Sequence, residues 1–191
     1  MRKNQIEVFL CDTRQGLSKN LYEKYLSIIP TSEITSLARL SETKRLERLI
    51  SLALLYSGLA AKTGESPFNL CIKRNINGKP FLDNFPLYTF NMSRSHGVTT
   101  LAITENEFIG LDIEKLDLCR KNLTKIAQRF FTKNENKALS NFRGDKYTFM
   151  FYSLWTLKEA LVKAKGESII PNLKSIEFEI NQDKLIMTRN K

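Results

Sequence analysis

Apolar positions come first as a short run, Ile6 to Cys11, suited to a buried strand. From Lys19 to Ile29 the spacing changes: Leu21, Tyr25, Leu26 and Ile29 line one face of a helix. A long apolar helix is predicted from Glu42 to about Lys62, with Ser41 as its N-cap and Gly64 as its end; Lys44 stands where a capping box needs an acid or amide. Short strands are expected around Asn69 to Lys73 and Tyr88 to Met92, with turns at Asn77-Gly78 and Asp83-Asn84. Val98 to Thr104 and Glu107 to Ile113 read as two strands with Glu105-Asn106 as the turn between them. Helices follow at about Lys121 to Phe130, Lys133 to Asn141 and Lys146 to Lys165, then strands at Ser175 to Ile180 and Leu185 to Thr188.

Strand, helices and strands thus occur twice, which predicts an α+β chain with a boundary near Ser95 to Val98, that is, halves 1–96 and 97–191. No long linker or low-complexity segment separates them, so they are expected to pack as one body. No sequence repeat shows them to be duplicates.

Composition narrows the function classes. Across 191 residues, 42% apolar and 26% charged content is that of an ordinary globular chain rather than a disordered one. The apolar stretch within Met1 to Asp12 is too short for a secretory signal, and Leu49 to Ala61 is interrupted and shorter than the roughly 20 residues that span a bilayer, so a cytoplasmic, membrane-free protein is expected. Cys11, Cys71 and Cys119 are scattered and match neither a disulfide framework nor a zinc site. The formal net charge of +10 calls for anionic partners: nucleic acid, a phosphate-rich cofactor or an acidic protein. The basic residues are dispersed, without a zinc-finger, RNP-like or basic-zipper pattern, which makes nucleic acid the second choice.

Candidate chemistry lies in two places. In Gly110-Leu111-Asp112-Ile113-Glu114, side chains two apart in a strand share a face, so Asp112 and Glu114 converge; the bland alternative is the wet face of a half-buried sheet. In Trp155-Thr156-Leu157-Lys158-Glu159-Ala160-Leu161-Val162-Lys163 an apolar helical stripe is flanked by Glu159 and Lys163 at i and i+4, which alone would be an exposed ion pair. Lys158 either adds positive charge near the site or is a solvated helix residue. Three carboxylates from a strand and a helix suit Mg²⁺, which favours hard oxygen ligands and completes its octahedron with water and substrate phosphates. A single histidine and unclustered cysteines do not suit a transition metal.

Gly110 to Glu114, Arg129-Phe130-Phe131-Thr132-Lys133-Asn134-Glu135 and Trp155 to Lys163, in this order and spacing, resemble the 4′-phosphopantetheinyl transferase superfamily. Asn77-Gly78-Lys79-Pro80 and Phe90-Asn91-Met92-Ser93 resemble the N-terminal motifs of its long, pseudo-dimeric class, which activates nonribosomal peptide and polyketide synthetases. The likeness runs from about Asn75 to Leu173 and is faint before that. It implies two similar α+β lobes with coenzyme A in the cleft between them, in a monomer. Carried over by position, Asp112, Glu114 and Glu159 become Mg²⁺ ligands, and Glu159 also the base for a carrier-protein serine. Lys163 becomes a catalytic contact to the coenzyme A phosphates or pantetheine arm, Lys79 and Pro80 neighbours of the adenine nucleotide, and Ser93 a neighbour of its 3′-phosphate, with Arg48 a further phosphate contact.

One departure concerns the 3′-phosphate: where the class reads Asn-x-Ser-His-Ser, this chain has Asn91-Met92-Ser93-Arg94-Ser95, with its one histidine at His96. Either Arg94 takes over with its permanent charge and planar fork, or a bulge brings His96 to the pocket. The implied reaction is attack of a serine hydroxyl of an acidic acyl or peptidyl carrier protein on the β-phosphate of coenzyme A, releasing adenosine 3′,5′-bisphosphate. Thr132 to Arg143, basic and containing Phe142, is the expected contributor to carrier docking. The alternatives are a noncatalytic carrier-binding relative and a nucleic-acid-binding protein.

Overall fold

The computed structural model describes residues 5–167, 172–181 and 184–190, with the side chains of 189 and 190 excepted; the first four residues of the N-terminal stretch read above lie outside it. The elements in chain order are β1 (Ile6–Asp12), α1 (Lys19–Leu26), α2 (Thr31–Leu37), α3 (Glu42–Thr63), β2 (Ile72–Arg74), β3 (Pro80–Leu82), β4 (Thr89–Ser95), β5 (Val98–Thr104), α4 (Leu123–Phe130), α5 (Lys133–Leu139), α6 (Gly144–Lys165), β6 (Ile176–Asn181) and β7 (Lys184–Asn190). This is the expected mixture of helix and sheet.

Three antiparallel sheets are described: β1-β5-β4, β2-β3 and β6-β7. In the first, β5 is central, with Leu101 opposite both Phe9 and Met92. α3 covers one face, and Leu49, Leu52, Leu59, Leu101 and Ile103 are buried in a single apolar cluster with Phe90. Gly64, left-handed at φ 75°, ends α3 as expected, whereas Ser41 makes no side-chain cap bond. A second cluster gathers Leu123, Ala127, Leu139, Met150, Phe151, Leu154, Val162 and Ile176 from α4, α5, α6 and β6, with Phe131 just after α4.

The strand expected at Glu107 to Ile113 does not form, and β5, expected to pair with it, hydrogen-bonds to β1 and β4 instead. The cause is local. His96 and Gly97 both have positive φ, 47° and 77°, and close a tight two-residue turn that pairs Ser95 with Val98. With β4 on one edge of β5 and β1 on the other, β5 has no edge left to pair with residues 107–113. β5 therefore packs with the elements before it rather than those after it.

Candidate active site

Residues 109–114 are extended without belonging to a sheet, and they cross α6 at close range. At Gly110 the contact is backbone to backbone: a Cβ there would overlap the Ala160 carbonyl oxygen and stand 2.8 Å from the Ala164 nitrogen. Neither obstacle is a flexible side chain, so glycine is what allows Asp112 to reach the helix. Gly110→Ala is expected to cost about 2 kcal/mol by overpacking, which thermal melts of the purified variant check.

The crossing brings the acids to α6. Lys163 Nζ stands 2.5 Å from Asp112 Oδ1, and 3.9 Å from Glu159 Oε2 one helical turn back. Ser93 on β4 donates to Asp112 Oδ1 at 2.8 Å and accepts from Lys163 Nζ at 3.2 Å, and Ser95 donates to Glu114 Oε2 at 2.9 Å. The Asp112 side chain is only 3% exposed. Glu159 is pushed up to about 7, first by burial and then by the Asp112 carboxylate; Lys163 opposes this and Glu114 adds to it. Glu159 is thus a carboxyl crowded by two others with one ammonium between them.

Does this constellation suit a divalent cation? Among the described residues no three His, Cys, Asp or Glu side chains converge closely enough to enclose an ion as they stand, and the Lys163 ammonium sits against Asp112 where a cation would. The donor chemistry nevertheless fits. All three acids are hard oxygen ligands, and Asp112 Oδ2 is buried without a hydrogen-bond partner, an unmet demand for positive charge.

Asp112, Glu114, Glu159 and Lys163 line one wall of a cavity of about 430 Å³, whose other walls include Arg48, Arg74, Pro80, Ser93 and Arg94. Arg48, Arg74 and Arg94 also line a second cavity of about 670 Å³, together with Lys44 and His96. An acidic end and a basic end therefore share three arginines. Arg48 is within 3.3 Å of Glu33. His96 is not brought in by a bulge: it sits in the β4–β5 turn, its Nδ1 3.0 Å from Ser95 Oγ.

Lys79 points elsewhere. Its ammonium donates to the main-chain carbonyls of Ala164 at 2.7 Å and Ile109 at 3.3 Å, and burial lowers its pKa. Asn75 and Asn77, in the turn before it, donate to the Gly166 carbonyl at 3.1 and 2.9 Å. The β2–β3 turn thereby satisfies carbonyls at the C-terminal end of α6, which a helix leaves without intrahelical partners.

Lys158 is neither solvated nor beside the acids. It is fully buried, with Nζ 2.7 Å from both carboxylate oxygens of Glu135 and 2.6 Å from the Ile176 carbonyl. Glu135, also fully buried, accepts from the backbone amides of Thr132 and Phe178 at 2.8 and 2.9 Å. Thr132 and Glu135 complete a capping box on α5. Lys158 and Glu159 are adjacent on α6, so one anchors the helix to α5 and β6 while the other faces the cavity.

Arg74, Asn91, Ser95 and Glu135 are residues of this arrangement to which sequence reasoning gave no role. For Asn91 and Ser95 a signal existed: with Ser93 they alternate along β4 and share its face. For Arg74, at the end of a three-residue strand, there was none.

Residues 108–190 match the family model of the 4′-phosphopantetheinyl transferase superfamily. The transferase Sfp of Bacillus subtilis is 35% identical over 106 residues, covering 56% of this chain and 46% of its own length. The L-aminoadipate-semialdehyde dehydrogenase-phosphopantetheinyl transferase of Xenopus laevis is 32% identical over 122 residues, 59% of this chain and 40% of its own. A Synechocystis sp. protein provisionally named a 4′-phosphopantetheinyl transferase is 29% identical over 177 residues, 90% of this chain and 69% of its own. The chain thus spans less than half of the first two. The matched region contains Asp112, Glu114, Glu159 and Lys163, so the part of the chain that carries the acids is the part similar to the 4′-phosphopantetheinyl transferase superfamily.

Proposed function

We propose that the protein transfers the 4′-phosphopantetheine arm of coenzyme A to a serine of an acyl or peptidyl carrier protein, with Mg²⁺, as a monomer of the long, pseudo-dimeric type. The observation that carries this reading is the cavity in which Asp112, Glu114, Glu159 and Lys163 share walls with Arg48, Arg74 and Arg94. A pyrophosphate ester bearing a further phosphate needs both kinds of group, carboxylates for its metal and arginines for its free charges. The two lobes of this proposal are residues 1–96 and 97–191, with β5 of the second pairing with β1 and β4 of the first. Among the described residues no helix is long and apolar enough to cross a membrane, and the cytoplasm, where coenzyme A and carrier proteins meet, is the proposed location.

Asp112, Glu114 and Glu159 would hold the Mg²⁺, which when bound neutralises and orients the pyrophosphate. Glu159 takes the proton of the carrier serine as its oxygen bonds to the β-phosphorus, and the bond from that phosphorus to the bridging oxygen breaks, releasing adenosine 3′,5′-bisphosphate. Lys163, beside both acids, is placed to meet phosphate charge. Arg94, lining both cavities, is the proposed 3′-phosphate contact in place of a histidine. Carrier docking is assigned to the basic stretch Thr132 to Arg143, where Phe142 is half-buried under the Lys146 ammonium.

The test is direct: purified protein, coenzyme A, Mg²⁺ and a panel of apo carrier proteins, read by intact mass with an EDTA control. A metal-dependent gain of about 340 Da, the mass of one phosphopantetheinyl group, is expected on at least one carrier. Coenzyme A binding without any gain would favour a noncatalytic carrier-binding role. Salt-dependent binding of DNA or RNA that Asp112→Ala leaves unaltered, with no coenzyme A binding, would favour the nucleic-acid reading.

A further inference from the structure

The extended segment that carries Asp112 and Glu114 is held by side chains rather than by a β-ladder. Three of its amides, at alternate residues, each donate to a side chain of β4: Leu111 to Asn91 Oδ1 at 2.9 Å, Ile113 to Ser93 Oγ at 3.3 Å and Lys115 to Ser95 Oγ at 3.3 Å. Each pair is 20 residues apart in sequence, so the segment runs parallel to β4 in a single register. Asn91, Ser93 and Ser95 share a face of the strand, and the first two are buried.

Each serine also takes the carboxylate next to the amide it holds. Ser93 accepts from Ile113 and donates to Asp112; Ser95 accepts from Lys115 and donates to Glu114. A hydroxyl has one proton and two lone pairs. Ser93 has used all three, its second lone pair being taken by Lys163. Ser95 has spent its proton on Glu114, so the Nδ1 of His96 is the donor in their 3.0 Å contact.

We infer that Asn91, Ser93 and Ser95 are positioning residues, a side-chain ladder that fixes the register of residues 111–115 and so aims Asp112 and Glu114 at Glu159 and Lys163. A slip by one residue would turn both carboxylates to the opposite face. This assignment rests on the reading of Asp112 and Glu114 as the acids of the site. It gives Ser93 a different task from the 3′-phosphate contact that family resemblance implies, because its proton is already committed to Asp112.

The experiment uses the full chain and the variants Ser93→Ala and Ser95→Ala. Amide exchange is measured without ligand, Mn²⁺ affinity by titration without coenzyme A, and KM for coenzyme A against 3′-dephospho-coenzyme A. The ladder predicts at least tenfold faster exchange at Ile113 in the first variant and at Lys115 in the second. It predicts Mn²⁺ affinity weakened about 10- to 100-fold and a preference for the 3′-phosphate equal to that of the wild type. Unaltered exchange and Mn²⁺ affinity, with loss of the 3′-phosphate preference in Ser93→Ala, would overturn it in favour of a phosphate contact. Ser95 is half-buried, so its variant carries the test if loss of the buried Ser93 hydroxyl unfolds the protein. A wild type that neither transfers nor binds Mn²⁺ sinks the functional reading, and the exchange rates at Ile113 and Lys115 still decide the ladder.

Discussion

Glu159→Gln is expected to lower phosphopantetheine transfer about 10³-fold while leaving the fold intact. Glutamine keeps the shape of the side chain but neither accepts a proton at neutral pH nor binds a hard cation as a charged ligand. Glu159 stands among like charges, with burial and Asp112 both opposing its ionised form. Neutralising it removes that crowding, so in metal-free buffer the melting temperature should match or exceed that of the wild type. Circular dichroism melts and intact-mass assays on one preparation separate the two claims. Transfer within twofold of wild type would remove Glu159 from the mechanism; loss of the fold would show that the carboxylate is structural.

The largest loss of stability is expected one residue earlier. Lys158→Met leaves the Glu135 carboxylate fully buried without its countercharge, and removing one partner of a buried pair costs about 3–5 kcal/mol. The Ile176 carbonyl also loses its 2.6 Å donor. At roughly 2–4 °C per kcal/mol for a chain of this size, Tm should fall by about 10 °C. Adding Glu135→Leu should recover part of the loss, since the unpaired charge goes, but not all of it, since the amides of Thr132 and Phe178 lose their acceptor. Denaturant or thermal melts of the single and double variants form the cycle. A shift under 2 °C for Lys158→Met would mean that the pair contributes no more than a hydrophobic contact.

Much of the fold was legible along the chain where one signal sufficed. α3 and α6, each 22 residues long, declare themselves by apolar periodicity, and left-handed glycines, Gly64 and Gly166, end both. Two short elements did not: α2, of seven residues, and β3, of three with Pro80 at its start, although α5, also of seven, was read from the chain. Residues 107–113 carried the alternation of a strand and still formed none: both edges of β5 were taken, and the segment lies along β4 with its amides on the side chains of Asn91, Ser93 and Ser95 instead of on a ladder. In the site, the period of two in an extended chain put Asp112 with Glu114, and the i, i+4 spacing put Glu159 with Lys163. These are distances of a few residues, which backbone geometry alone sets.

Everything that joins these pairs spans longer separations. Ser93 meets Asp112 across 19 residues and Lys163 across 70, Lys158 meets Glu135 across 23, and Lys79 meets Ala164 across 85. No local rule distinguishes Lys158 from Lys163 on one helix, yet the first is wholly buried and the second lines a cavity. The sequence by itself determined the class of fold, the long helices, the pairs Asp112 with Glu114 and Glu159 with Lys163, and the need for an anionic partner, since each follows from local periodicity or from summed charge. Only the tertiary structure decided which lysine anchors and which faces the cavity, and which hydroxyls hold the acids, because those choices depend on which surfaces the chain brings together and excludes from water.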